Sequence, residues 1–272
     1  MIYDSPRFLI GSDSFITIEL GDEGSLRMNL YVLSMERMIW DSKIEGLIDT
    51  TSLRTTIMIH YDPFIVQADQ IIEQIRSISS EGTTISPKIP SRIICLPVYY
   101  DDPCTRECAM QHGVKPNVEI IAKDNNITPE EVIEIHSQPT YFVSYTSFMY
   151  GSFGSFPINP VTNLVTSKYK TPRKWTPAGS LGIGGNTTAF YSVSSPGGIM
   201  MLGNIPVRTF DLDARNPFFK DNSLLINPGD QLRFIPIEKD EYDYIKKHRN
   251  EYQYKIEESL IETCIYESLQ SP

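Results

Sequence analysis

The stretch from Trp175 to Gly203, WTPAGSLGIGGNTTAFYSVSSPGGIMMLG, sets two glycine pairs, Gly184–Gly185 and Gly197–Gly198, between short β-rich runs. Glycine lets a turn bend until successive backbone N–H groups converge. Such a turn holds an anion, or a carbonyl oxygen that becomes anionic. Asn186 adds a side-chain amide beside the first pair, and Ser195 and Pro196 lead into the second. Lys168 and Arg173 lie just upstream, with charge suited to a carboxylate or a phosphate. A preorganised donor aimed at developing charge is worth about 3 kcal/mol in a dry site. Each feature also has a plainer reading: glycine pairs make ordinary hairpin turns, and lysines are ordinarily solvated. Ser180, Ser194 and Ser195 suggest a serine hydrolase, but no G-x-S-x-G elbow is present and the chain has only 4 histidines.

Upstream, Tyr141, Phe142, Tyr145, Phe148, Tyr150, Phe153 and Phe156 crowd one stretch. Aromatic density of this kind builds core, and some of these rings are expected to floor a flat substrate pocket. His136 falls at the end of a capped helical segment, where a histidine serves as a helix-end cation, a packed side chain or a proton carrier. Cys104, Cys108 and His112 recur at a spacing of four, which on a helix gathers all three on one face. A zinc site would need a fourth ligand that the surrounding sequence lacks, so no metal is expected.

Something must position these groups. Phe15–Leu20 and Thr55–Tyr61 read as strands, Leu30–Trp40 and Ala68–Ser77 as helices, and Glu81–Pro90 as a linker rich in turn formers. From Arg92 the pattern changes to short strands broken by Gly and Pro. One helix interrupts it at Thr128–His136, where Thr128, Pro129 and Glu131 form a capping box. Many short strands punctuated by turns suggest a closed barrel. Glu241–Arg249 reads as a helix within a charged, tyrosine-rich tail. The expected organisation is therefore α+β: an N-terminal α/β domain over 1–88, a barrel over 92–237 and a helical extension over 238–272.

Composition sets the outer limits. A net charge of −10 and 40% hydrophobic residues in 272 describe an ordinary soluble protein that neither a nucleic-acid backbone nor an anionic membrane surface attracts. No membrane span or secretory leader is read, so a cytoplasmic location with reduced thiols is expected.

Several strings together carry a family resemblance: PTYFVSYTSFMYGSFGSFPINP, TSKYKTPRKWTPAGSLGIGG with SPGG, PGDQLRFIPI, and the N-terminal GSDSFITIELGD with IHYDP. The chain resembles the allophanate hydrolase subunit 1 or carboxyltransferase C/D family, over essentially its whole length. That family includes the carboxyltransferase half of urea carboxylase, the B-type subunit of 5-oxoprolinase and an inhibitor of a sporulation histidine kinase. The resemblance implies a cyclophilin-like barrel behind a small α/β domain. DDPCTRE, LVTSKY, WTP and GIGG look like the urea carboxylase branch; His136-Ser137-x-Pro139 and Phe148 look like the other. Urea carboxylases carry an acidic residue where Phe148 stands.

The first expectation drawn from this resemblance is half of a biotin-dependent carboxyltransferase acting on a urea-like or amide substrate. It would work with an A/B-type partner subunit and with carboxybiotin on a separate carrier supplied by a biotin carboxylase. The alternatives are a 5-oxoprolinase subunit that opens a lactam with ATP beside an A-type subunit, and a non-catalytic kinase inhibitor. In either enzyme Lys168, Arg173, Asn186 and His136 would be catalytic, with Tyr150, Gly184, Gly185, Ser195, Pro196, Gly197 and Gly198 around the substrate. The chain shows no biotin carboxylase, carrier or A/B half, so it is expected to be inactive alone. If the tail packs on a partner, Tyr242, Ile245, Tyr252 and Ile256 should be uncovered in the isolated chain.

Overall fold

The computed structural model describes residues 1–80, 88–159 and 163–262. They form two compact units: the described residues of Met1–Pro90 with those of Leu260–Pro272, and Ser91–Ser259. Most of the expected linker, and Cys264, lie outside the described residues.

The first unit is an antiparallel sheet of β1 (Ile2–Gly11), β2 (Phe15–Gly21), β3 (Leu47–Ser52) and β4 (Thr56–Tyr61), in the order β1-β2-β4-β3. Alternate residues of the middle strands, Ile16, Ile18 and Leu20 with Ile57, Ile59 and Tyr61, are buried, as a sheet covered on one face requires. Helices α1 (Leu26–Asp41) and α2 (Ala68–Ser80) complete this core. Met28, Val32, Met35 and Ile39 of α1 recur at helical spacing and share the core with Ile71, Ile72 and Ile75 of α2. The first helix starts four residues before the Leu30 expected from the sequence, because Ser25 caps it and its Oγ accepts the Met28 N–H at 3.2 Å.

The second unit is built on a closed barrel of seven strands. These are β5 (Lys88–Tyr100), β6 (Tyr141–Tyr145), β7 (Phe153–Pro157), β9 (Ser180–Gly184), β10 (Thr187–Tyr191), β12 (Met200–Asn204) and β13 (Gln231–Pro236). Their order is β12-β9-β10-β7-β6-β13-β5, and the pairing of Gly203 with Tyr100 and Asn204 with Tyr99 closes the ring. Every pairing in the ring is antiparallel except that of β5 with β13. A separate ladder joins β8 (Arg173–Thr176) to β11 (Ser195–Gly197). The expected α+β class and barrel are present.

Three helices precede β6: α3 (Pro103–Gln111), α4 (Asn117–Asn125) and α5 (Pro129–Ser137). The last has the expected capping box, with the Glu131 N–H donating to Thr128 Oγ1 at 3.2 Å and the Thr128 N–H to Glu131 Oε2 at 2.7 Å. Helix α3 was not expected as an element, yet Asp102 and Pro103 are a start signal. Asp102 Oδ1 accepts the N–H groups of Cys104 and Thr105, and proline fits the first turn. Val118, Ile121, Ala122 and Val132 merge with the barrel's apolar residues into one core.

The tail differs from expectation. Helix α6 (Lys239–Lys247) forms, but the chain then returns as β14 (Lys255–Glu262), which extends the sheet beside β5. The alternation Tyr252, Tyr254, Ile256 carries the period of a strand, and these side chains are partly buried against the core. Tyr242 and Ile245 are themselves buried, at 8% and 6% exposure. Residues 238–259 of the tail therefore belong to the barrel's own unit, and the burial of Tyr242 and Ile245 overturns the idea that they wait uncovered for a partner. Residues 263–272 lie outside the described residues.

Ile245→Ala is expected to destabilise the second unit by about 2–4 kcal/mol, the usual cost of emptying a buried aliphatic site. Urea unfolding of the full chain, followed by tyrosine and tryptophan fluorescence, checks this. A cost under about 1 kcal/mol would mean the helix is only loosely applied to the barrel.

Candidate functional site

Lys168 reaches its place because its segment is pinned along its length. Thr166 and Gly185 exchange backbone hydrogen bonds at 3.0 and 2.8 Å. Thr166 Oγ1 donates to Asp124 Oδ2, and Asn125 bonds both backbone groups of Val165, so the end of α4 holds the segment. The Tyr169 N–H donates to the Gly198 carbonyl at 2.8 Å. The Tyr169 hydroxyl accepts from Asn117 Nδ2, while Asn117 Oδ1 accepts the Met201 N–H at 2.8 Å, beside the register break in β12. The short strands thus anchor a loop whose free member is the ammonium of Lys168.

The glycine pairs work differently from the expected anion turns. The Gly185 N–H is committed to the Thr166 carbonyl, and Gly198 supplies a backbone hydrogen bond to the Tyr191 hydroxyl. What glycine provides is close approach. A Cβ on Gly184 would sit 2.6 Å from Lys168 Cε, and one on Gly197 would sit 2.3 Å from the Tyr191 ring. The lysine stem and the tyrosine ring lie flat on bare backbone. The N–H groups of Gly185 and Gly198 are thus already engaged within the chain.

Lys168 and Tyr191 line a cavity of about 240 Å³ together with Tyr145, Phe148, Ser147 and Ser152. Phe148 and Tyr191 face each other with ring centres 5.6 Å apart. Phe148 is 68% exposed and has φ +76°, left-handed backbone that is uncommon outside glycine. An exposed ring held by a costly backbone at a pocket mouth is suited to covering a flat ligand. Among the described residues no aspartate or glutamate lines the cavity, and Lys168 is the one charged lining residue.

Arg173 lies behind this wall. It is 1% exposed; Nε donates to Thr176 Oγ1 at 3.3 Å, the guanidinium stacks 4.7 Å from the Tyr169 ring centre, and Nη1 and Nη2 have no hydrogen-bond partner. Burial raises the pKa of the Tyr191 hydroxyl, and the charge of Arg173 acts in the opposite direction. Its position is that of a buried cation biasing the potential of the neighbouring tyrosines, without lining the cavity itself.

The other sequence candidates disperse. His136 is fully buried, with Nδ1 2.8 Å from the Tyr100 hydroxyl and Nε2 3.1 Å from Thr188 Oγ1. Desolvation pulls its pKa down to about 3, so it is a neutral core residue and not a proton carrier. Asn186 is exposed on the hairpin tip and accepts from the neighbouring Thr187 hydroxyl at 3.4 Å, outside the cavity lining. Tyr150 turns away, bonding Ser223 at 3.0 Å and meeting Phe210 edge-on. Ser195 donates to the Pro196 carbonyl at 3.3 Å, and Pro196 is exposed beside β8. Cys108 Sγ contacts the Trp175 carbonyl, and His112 Nδ1 bonds the Cys108 carbonyl at 2.8 Å. Tyr191 and Ser152 were missed as site residues: Tyr191 lies in a run that reads as a plain strand, and Ser152 in a turn.

Residues 6–220 match the family described as carboxyltransferase domain, subdomain C and D, and the chain belongs to it. It is 27% identical to the B-type subunit of 5-oxoprolinase from Bacillus subtilis (strain 168), over 88% of this chain and 95% of that one. It is 23% identical to the urea amidolyase of Lachancea kluyveri over 92% of this chain, which spans 14% of that longer protein. The crystal structure of the K. lactis urea amidolyase shares the fold at a TM-score of 0.86 and 21% identity, over 97% of this chain and 17% of that one.

Gly184→Ala should displace the Lys168 stem while leaving the fold intact, and a crystal structure of the variant should show the lysine swung off the hairpin; an unmoved lysine contradicts the close-approach role. For His136 the sign is fixed by a folded pKa of about 3 against 6.5 unfolded. Stability is complete above pH 6.5 and falls as acid protonates the unfolded chain, by up to about 1.4 kcal/mol per pH unit down to pH 3. Urea unfolding at stepped pH should lose this component of the slope in His136→Gln.

Proposed function

We propose that this chain is the barrel subunit of an enzyme complex acting on a small amide that carries a carboxylate, the class to which 5-oxoproline belongs. The carrying observation is the charge inventory of the cavity: one lysine, aromatic walls, two serine hydroxyls and no carboxylate. Urea is neutral, so a site built for it gains little from a lone ammonium. A cyclic amide acid needs a cation for its carboxylate and flat apolar surfaces for its ring, which Lys168, Phe148 and Tyr191 provide. The likeness to a B-type 5-oxoprolinase subunit along nearly the full length of both chains supports the same reading.

In this reading Lys168 binds the substrate carboxylate. Phe148 and Tyr191 hold the ring and exclude water, and the buried charge of Arg173 favours negative charge developing near the Tyr191 hydroxyl. ATP is consumed at partner subunits, and the chain alone does not turn over substrate. A second reading, carboxyl transfer from carboxybiotin to an amide nitrogen, is supported by the family's description and by the sequence around Lys168. It would require donors other than the Gly185 and Gly198 N–H groups.

The test is co-expression with the A/B-type and A-type partners of its own genome, followed by ATP turnover on 5-oxoproline and on urea, with and without avidin. Avidin-insensitive turnover of 5-oxoproline is expected. Lys168→Ala should raise KM at least about tenfold, the loss of one charge-assisted contact, and Lys168→Arg should recover part of it. Avidin-sensitive turnover of urea would replace this reading with the second.

A further inference from the structure

A second cavity, of about 190 Å³, shares the Phe190 wall with the first and carries more positive charge. Arg208, Thr209 and Arg215, from the chain between β12 and β13, line it, and Arg249, just past α6, joins them. Among the described residues no carboxylate lines it. The buried carboxylate of Asp211 lies behind, 3.7 Å from Arg208 Nε and 3.0 Å from Arg215 Nη2; Asp213, largely exposed, meets the same Arg215 atom at 3.5 Å. Among the described residues Arg249 has no acidic partner, and its Nε donates to the Pro206 carbonyl at 2.6 Å. Burial and the neighbouring charge of Arg208 both push the Arg249 pKa below its ordinary value. Arg208 leans on Asp211, but Arg249, partly buried beside it, has no counter-charge of its own, and a bound anion would turn that unfavourable interaction into a favourable one.

An independent observation points the same way. Thr209 is 2% exposed and its hydroxyl has no hydrogen-bond partner; Arg208 Nε is likewise buried and makes no hydrogen bond. Buried donors are ordinarily satisfied, and these two belong to residues lining one cavity.

We propose that this cavity is an oxyanion site that holds a phosphate group between Arg208, Arg215, Arg249 and the Thr209 hydroxyl. Arg208, Arg215 and Arg249 outnumber the two nearby carboxylates, buried Asp211 and largely exposed Asp213, and several guanidinium forks suit the three acceptor oxygens of a phosphate, which carries about −1.5 to −2 at neutral pH. A carboxylate offers only two oxygens. The apolar walls of Ile205 and Phe210 and the small volume admit a compact group and leave a purine outside the mouth. The site does not depend on what the first cavity binds.

Isothermal titration of the full chain at low ionic strength, with inorganic phosphate, AMP and succinate, tests this. Saturable phosphate binding is expected, weakened by added salt and at least about tenfold by Arg249→Gln, and unchanged by Lys168→Ala. Thr209→Val, nearly isosteric, should weaken it several-fold and keeps the test valid where the arginine variant folds poorly. Comparable binding of AMP assigns the site to the phosphate of a larger molecule, and binding of phosphate alone assigns it to the free ion. Tighter binding of succinate, no saturable binding of any of the three, or full phosphate binding by Arg249→Gln together with Thr209→Val overturns the proposal.

Discussion

One buried amide joins the barrel to its pocket. Asn117, 4% exposed at the start of α4, accepts the Met201 N–H beside the place where β12 slips register against β9, and donates to the hydroxyl of Tyr169. A register slip leaves a backbone donor without its ladder partner, and in a core that donor must be met. The residue that meets it also fixes the segment carrying Lys168. The irregularity in the closing strand and the placement of the pocket's cation are thus two ends of one side chain. Aspartate in this place would keep the acceptor but bring a buried charge; alanine would orphan the N–H and release the tyrosine.

The pocket that results is unusual for its setting. The whole chain carries a net charge of −10, yet the cavity holds a lysine and no acid, with the buried guanidinium of Arg173 nearby. Low-dielectric walls let a few inward cations dominate locally, whatever the sign of the charge on the chain as a whole. Global charge and site charge therefore carry separate messages.

Much of the fold is legible in the sequence, and less of the site. Period-two burial of Ile16, Ile18 and Leu20 and the Thr128 capping box are local signals, and they translate directly. The tail is harder to read, because a tyrosine-rich charged segment resembles a helix until the alternation of Tyr252, Tyr254 and Ile256 is weighed separately from Tyr242 and Ile245. At the site, Lys168 and the glycine pairs do come together, but the purpose of the glycines is not legible in their spacing. Whether bare backbone offers its N–H or merely makes room depends on Thr166 and Tyr191, whose partnership is tertiary. His136 fails as a site residue for a similar reason: helix-end position is local, whereas burial among Tyr100, Tyr141 and Phe234 is not.

The parallel pairing of β5 with β13 has a bearing on how the molecule is made. Ile93 lies opposite Gln231 and Val98 opposite Pro236, so the partners are separated by 138 residues of chain. On a ribosome the first strand of the barrel leaves the tunnel long before its neighbour is translated, while α3, α4 and α5 need only local sequence. The nascent chain therefore passes through a stage in which helices are formed and β5 is an unpaired apolar edge, a stage that lasts for most of the synthesis of the second unit. Slow translation lengthens the exposure. The barrel's order of strands thus keeps an apolar edge open to wrong pairing until β12 and β13 have been made.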